Sequence, residues 1–249
     1  MKQFKTISLS DIQKVSLMNR VDKKFILNTR RLTELYRKIS EFYFALEING
    51  TCHSIYQTQY FDTANNDMYK AHHNGKLNRF KIRHRSYSST GLGFLELKYK
   101  TNKGRTIKSR IPSSNISSNS FSREEKDFII SNTPYSASSL SVALNNQFSR
   151  TTLANKQLNE RCTIDTNLHF STLSGETIMN NVAIIEVKSE KGNNQSLIIQ
   201  ALNDMGIKSG HFSKYCNGLA MVNTGIKHNS FKRRMRLMKK NLSKQQRVN

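Results

Sequence analysis

Arg79-Phe80-Lys81-Ile82-Arg83-His84-Arg85 carries a cation at every second position. Alternate side chains of a β-strand point to opposite faces, so Arg79, Lys81, Arg83 and Arg85 share one face and Phe80, Ile82 and His84 the other. A face this dense in one sign repels itself and calls for a polyanion to neutralise it. Related segments repeat the alternation with acids added. Phe94-Leu95-Glu96-Leu97-Lys98-Tyr99-Lys100 sets Glu96, Lys98 and Lys100 opposite Leu95, Leu97 and Tyr99, and Ile184-Ile185-Glu186-Val187-Lys188 sets Glu186 and Lys188 opposite Ile185 and Val187. Several strands with one charged and one apolar face imply a sheet wrapped around a charged interior. The expected fold is α+β: an antiparallel, roughly eight-stranded β-barrel tunnel, closed or nearly so, with a basic lumen and helices packed outside.

Working outward, further strands are expected over residues 23–27, 54–61, 105–111, 148–154, 160–166 and 182–189. Caps and helical spacing place helices over 10–18, 30–43, 65–73, 122–131, 136–147, 195–205 and 212–223. No repeat or linker divides the chain, so residues 1–226 read as one domain, followed by a basic tail over 227–249. The tail holds Lys227, Lys232, Arg233, Arg234 and further cations but no acid, and reads as a disordered arm or an amphipathic helix with Phe231, Met235, Leu237 and Met238 on its apolar side.

The 249 residues include 40 Lys and Arg against 17 Asp and Glu, a net charge of +23. That excess points to an anionic partner: nucleic acid, an anionic membrane surface, or a phosphate-rich molecule or polymer. Cys52, Cys162 and Cys216 lie far apart and read as reduced thiols. With a polar N-terminus and no apolar run near the roughly 18–20 residues a membrane span needs, the expected location is cytoplasmic. Peripheral membrane attachment through the tail, to anionic lipid or to a membrane protein partner, is the alternative.

Geometry narrows the anion. A duplex is met by a helix in a groove or by a broad basic surface, whereas charges inside a barrel reach only something thin, such as a triphosphate or linear polyphosphate. Nucleic acid is therefore the lesser candidate. The strand faces offer Lys24, Arg79, Lys81, Arg83, Arg85, Lys98, Lys108, Arg110, Arg150, Arg161 and Lys188, and Lys214 stands near the start of a helix, a favourable place for an anion. Arg85 lies nearest its strand end, which puts it toward the tunnel mouth. A carboxylate among phosphates is repelled unless a divalent cation lies between, so Glu186 and Glu96 read either as metal ligands or as ion pairs balancing the tunnel, with Asp165 a third candidate. The histidines form no metal spacing, and there is no P-loop or Ser/His/Asp signature.

Taken in order, Asn19-Arg20-Val21-Asp22-Lys23-Lys24-Phe25, Tyr60-Phe61-Asp62-Thr63, Asn78 to Arg85, Phe94 to Lys98, Gly104 to Arg110, Glu160 to Asp165, Ile185 to Lys188 and Phe212 to Tyr215 resemble the VTC domain, the polyphosphate polymerase domain of the vacuolar transporter chaperone complex and its bacterial relatives. The resemblance runs from about residue 15 to 224. It implies a triphosphate tunnel fold of the CYTH-like superfamily that binds ATP and inorganic polyphosphate with Mn²⁺ or Mg²⁺. It also implies an ATP:polyphosphate phosphotransferase, moving the γ-phosphoryl group onto a growing chain. By motif position, Lys24, Arg79, Lys81, Arg83, Lys98, Arg150, Arg161, Lys188 and Lys214 would hold phosphate, and Glu186 the metal. The first strand carries Asp22-x-Lys24 where related tunnel phosphatases and cyclases carry Glu-x-Glu-x-Lys, a difference that favours polymerisation or binding over hydrolysis. A tunnel-type triphosphatase and a non-catalytic binder of polyphosphate or nucleic acid remain the competing readings.

Overall fold

In the computed structural model, residues 3–13, 20–114, 120–190 and 195–243 are described. The first half runs β1 (Lys5–Ile7), α1 (Leu9–Gln13), β2 (Arg20–Asn28), α2 (Leu32–Ile39), β3 (Tyr43–Leu46), β4 (Ser54–Thr63), α3 (Asp67–His73), β5 (Arg79–Tyr87), β6 (Leu92–Lys100) and β7 (Thr106–Pro112). The second half runs α4 (Arg123–Asn132), β8 (Leu140–Asn155), β9 (Glu160–Thr172), β10 (Gly175–Met179), β11 (Val182–Glu190), α5 (Leu197–Asp204), α6 (Lys214–Val222) and α7 (Lys232–Ser243).

Eight strands form one continuous hydrogen-bonded path, β2-β11-β9-β8-β4-β5-β6-β7, and β1, β3 and β10 attach to its side, making an 11-stranded sheet. All pairings are antiparallel except that of β1 with β3. The path does not close: among the described residues no ladder joins β7 to β2, which corrects the expectation of a closed barrel. The loop 206–211 explains part of the seam. Gly210 N–H donates to the Lys24 carbonyl at 2.8 Å, so that part of the outward edge of β2 is already taken. Across the rest of the seam the charges are mixed, with Arg20 and Asp22 both acting on Lys108.

Alternation places the apolar side chains as the sequence implies. Ile82, Leu95 and Leu97 are buried under α4 with Phe61, Phe121 and Ile129. His84 is fully buried on that face, 2.9 Å from Glu125, which also closes the capping box of α4 with Ser122. On another flank α2 and α5 cover Phe25, Ile164, Ile185 and Val187. A third cluster departs from the expectation that every helix lies outside. α6 buries Tyr215, Cys216 and Leu219 against Tyr60, Leu144, Phe148 and Ile184. Leu144 and Phe148 share the parity of Arg150 on β8, Ile184 that of Lys188 on β11, and Tyr60 stands opposite Arg83, so α6 stands on the lumenal face. A register shift in the β8–β9 ladder, beside Asn167 at φ 51°, turns Leu168 and Phe170 toward that helix as well.

Two expected helices differ. The segment 136–147 is mostly the start of β8, a 16-residue strand. Leu140 and Leu144 are spaced i, i+4, which suits a helix, but a register shift of the β4–β8 ladder puts them on opposite faces of the strand. The helix expected over 30–43 ends at Ile39, where β3 begins four residues later. Part of the helix expected over 10–18 lies outside the described residues. In the tail, α7 packs on the body through Phe231 and Met238, both buried, with Met235 partly so. Most of its apolar side is therefore occupied by the protein itself, with Leu237 left exposed, and residues 244–249 lie outside the described residues. No helix among the described residues is long and apolar enough to cross a membrane.

Candidate phosphate-binding tunnel

The concave face encloses a cavity of about 520 Å³ lined from every strand of the eight-strand path. Register explains the convergence. Arg83 stands opposite Glu96 and Glu96 opposite Arg110, while Lys81 faces Lys98 and Lys98 faces Lys108. Across the sheet Lys24 faces Glu186, Lys188 faces Arg161, and Arg150 faces Asp165. Of the fifteen residues singled out from sequence as phosphate-binding or metal-binding, all but Arg79 line this one cavity. Arg79 lines an adjoining cavity of about 500 Å³, into which Lys24, Lys81 and Lys98 also project, and its guanidinium donates to the Lys76 carbonyl at 2.6 Å.

The ends are the reverse of the sequence expectation. Arg85 is only 7% exposed, donates to Thr58 Oγ1 at 3.2 Å and lies over the Tyr56 and Phe148 rings. It sits deep because Thr58 and Phe148, on strands paired beyond it, cover the C-terminal end of β5. The mouth is at Arg79 instead.

The acids in the cavity are all engaged by cations. Glu186 accepts from Lys24 Nζ at 2.6 Å, with Lys188 3.6 Å away. Burial acts to raise its carboxyl, but Lys188 and Lys24 outweigh burial and hold it well below the carboxylate range. Glu96 accepts from Arg83 Nε at 2.6 Å, and the Arg83 and Arg85 guanidiniums likewise overcome burial to hold it low. Asp165 takes a bidentate pair from Arg150 at 2.6 and 2.8 Å and a further bond from Lys214. Burial would raise Asp165, but these two partners bring it down to about 2. With both oxygens so occupied, Asp165 is a structural anchor for cations. Among the described residues no three His, Cys, Asp or Glu gather as a metal cluster.

Several cations, by contrast, are crowded without enough opposing charge. Lys98 is open to solvent inside the cavity, yet desolvation together with Lys81, Lys108 and Lys24 lowers its ammonium to about 7. Burial lowers Lys188 to about 8 despite Glu186, with Arg161 and Arg150 adding to the effect. Burial also lowers Arg161, whose Nε is buried without a hydrogen-bond partner among the described residues. A multivalent anion would relieve all three.

The start of α6 lines both the tunnel and the cavity at Arg79. Ser213 caps the helix, its hydroxyl accepting from Cys216 N–H at 3.3 Å and from Lys81 Nζ at 2.9 Å. This leaves the helix N-terminus, with Lys214, directed into the cavity, adding partial positive charge. Asp62 locks the arrangement. It caps α3 through the Met68 and Tyr69 amides, both at 2.9 Å, and accepts the Tyr215 hydroxyl of α6 at 2.5 Å. Two lining tyrosines escaped the sequence reading. Tyr60 is held between Arg83, Arg85 and Lys214, which outweigh burial and lower its phenol, and the Tyr87 hydroxyl donates to Glu96 at 3.4 Å. Their parity with Arg83 and Arg85 in the β4–β5 ladder was the available signal.

The VTC domain profile matches residues 19–223. Among solved structures, the putative adenylyl cyclase HpAC1 from Hippeastrum, described as having a dominant triphosphatase activity, is similar at 15% identity, with 82% of this chain and 96% of that chain covered and a TM-score of 0.54. A putative adenylate cyclase from Vibrio parahaemolyticus is similar at 10% identity over 82% of this chain and 99% of that one, with a TM-score of 0.49. At 15% identity the first likeness is one of fold. No curated protein matches the chain in sequence.

Proposed function

The chain belongs to the VTC domain family, and on that premise we propose that it transfers the γ-phosphoryl group of ATP to the end of an inorganic polyphosphate chain. The observation that carries this reading is the state of the cavity's carboxylates. Glu96, Glu186 and Asp165 are each bound by Lys or Arg and held as weak bases, and the fourth carboxylate of the lining, Asp22, is paired with Arg20 at 3.2 Å. Hydrolysis asks for a group that activates water, and none of these three is suited to it. The terminal oxygen of polyphosphate is already anionic and attacks without a base.

In the transfer, that oxygen forms a bond to the γ-phosphorus while the bond from the γ-phosphorus to the β,γ-bridging oxygen breaks. ADP leaves, and the chain is one phosphate longer. Negative charge accumulates on in-line oxygens, and fixed Lys and Arg side chains on several strands stabilise it without reorganising. Arg110 and Arg161 offer forked donors to oxygen pairs, Lys81, Lys98 and Lys188 act as point charges, and Arg83 and Arg150, whose forks hold Glu96 and Asp165, add their charge. The donor set would suit a divalent cation carried in with the triphosphate: Glu186 and Glu96 line the cavity, and a hard cation needs only one or two carboxylates when phosphate oxygens complete its shell. Such an ion would supply further neutralisation of phosphate charge. Whether Mn²⁺ or Mg²⁺ is used, the residues holding it would be these two.

Hydrolysis of a triphosphate is the second reading, favoured by Lys98, whose ammonium at about 7 is partly neutral near pH 7 and could accept a proton from water. Bound phosphate would raise that ammonium again, which argues against it. Arg161→Met tests the site itself. We expect a fall in turnover of about 10²–10³ with melting temperature retained; turnover equal to wild type would mean the chemistry lies elsewhere.

A further inference from the structure

We infer that this protein has a second polyphosphate site outside the tunnel: the groove between α7 and the loop 206–211, which receives the chain where it passes Lys24. The inference rests on the tunnel reading and extends it. The groove is a cavity of about 890 Å³ lined by Arg30, Arg31, Lys208, Arg233, Arg234 and Arg236, and no Asp or Glu lines it among the described residues. Arg31 is held by Glu34 at 3.1 Å and by the Met205 carbonyl at 2.9 Å, which fixes one wall. The opposite wall is fixed because Phe231, Met235 and Met238 dock α7 on the body. Burial and neighbouring Arg233 both oppose the charge of Arg234.

Continuity identifies the ligand. Lys24, Gly210, His211, Ser230 and Arg234 line both this groove and the cavity at Arg79, and Lys24, Lys81 and Lys98 line both that cavity and the tunnel. The Gly210–Lys24 backbone bond keeps the junction together. A linear anion longer than the tunnel would thus meet cations all along this route, with Asp22 at the junction paired to Arg20 and no acid among the described residues lining the groove itself. A single triphosphate would be satisfied within the tunnel and have no need of the groove.

The test compares tripolyphosphate with long polyphosphate on the full chain. In R30Q/R233Q/R236Q, all three positions exposed, tripolyphosphate affinity should stay within about twofold of wild type and long-chain affinity should fall about tenfold. A control, R37Q/K38Q/K126Q, removes the same charge from exposed positions on α2 and α4 and should leave long-chain affinity near wild type. Equal loss in the two variants, no loss in the first, or tighter capture of a charge-matched single-stranded RNA than of polyphosphate would overturn the groove. Failure of wild-type protein to bind tripolyphosphate would instead overturn the tunnel reading, so the two failures are read in different proteins.

Discussion

Lys98 and Lys188 show how the cavity is set to take up an anion. Their ammonium groups are lowered to about 7 and about 8 because they are desolvated among other cations. An incoming polyphosphate favours their charged forms and raises both. Below pH 6 both are already protonated, so they add no proton on binding; between their free and bound values each binds one. Binding therefore takes up protons at pH 8 and weakens as pH rises through this window. Calorimetry at pH 8 in buffers of different ionisation enthalpy should show that Lys98→Met takes up about one proton fewer than wild type on binding tripolyphosphate. An unchanged proton count would contradict the assigned state of Lys98. The alternation of cations was legible because a period of two fixes which residues share a face. The fates of the acids were not. Asp165 meets Lys214 across 49 residues of sequence, a contact that depends on where α6 docks.

At the scale of elements, the start of α6 lines the tunnel. Gly218 makes the docking possible, since a Cβ there would lie 2.4 Å from Phe170 Cδ1 and 2.9 Å from Leu144 Cδ2. Gly218→Ala should cost about 1–3 kcal/mol by overpacking, read as a melting temperature lower by several degrees, and should reduce turnover because Lys214 and the Ser213 cap move with the helix. Unchanged melting would mean that α6 is not seated on the sheet in this way. The sequence marked α6 as a helix but not its position, because an apolar helix side reads alike against either face of a sheet. The start of β8 carries helical spacing for a related reason: Leu140 and Leu144 stand four apart, yet the register shift against β4 at Tyr60 sends Leu140 to the cluster under α4 and Leu144 toward α6. β3 and β10 are short and attach to the side of the main path, where no alternation announced them.

For the whole molecule, 19 of the 40 Lys and Arg but only four of the 17 Asp and Glu line one route, from the tunnel past Arg79 and Lys24 to the groove under α7. The open seam between β2 and β7 belongs to the same balance. A sheet lined by unneutralised cations resists closure, and a polyanion supplies the missing charge from within. Family and sheet architecture were both readable from ordered motifs and strand parity. Closure was not, because it depends on the loop 206–211 reaching the edge of β2. The central claim is that the cation-bound carboxylates direct the phosphoryl group to an anionic oxygen and not to water. The direct measurement supplies ATP labelled in its γ-phosphate, a polyphosphate primer and a divalent cation, and follows the label. The account predicts label in chains longer than the primer, matched by ADP; label recovered only as orthophosphate would contradict it.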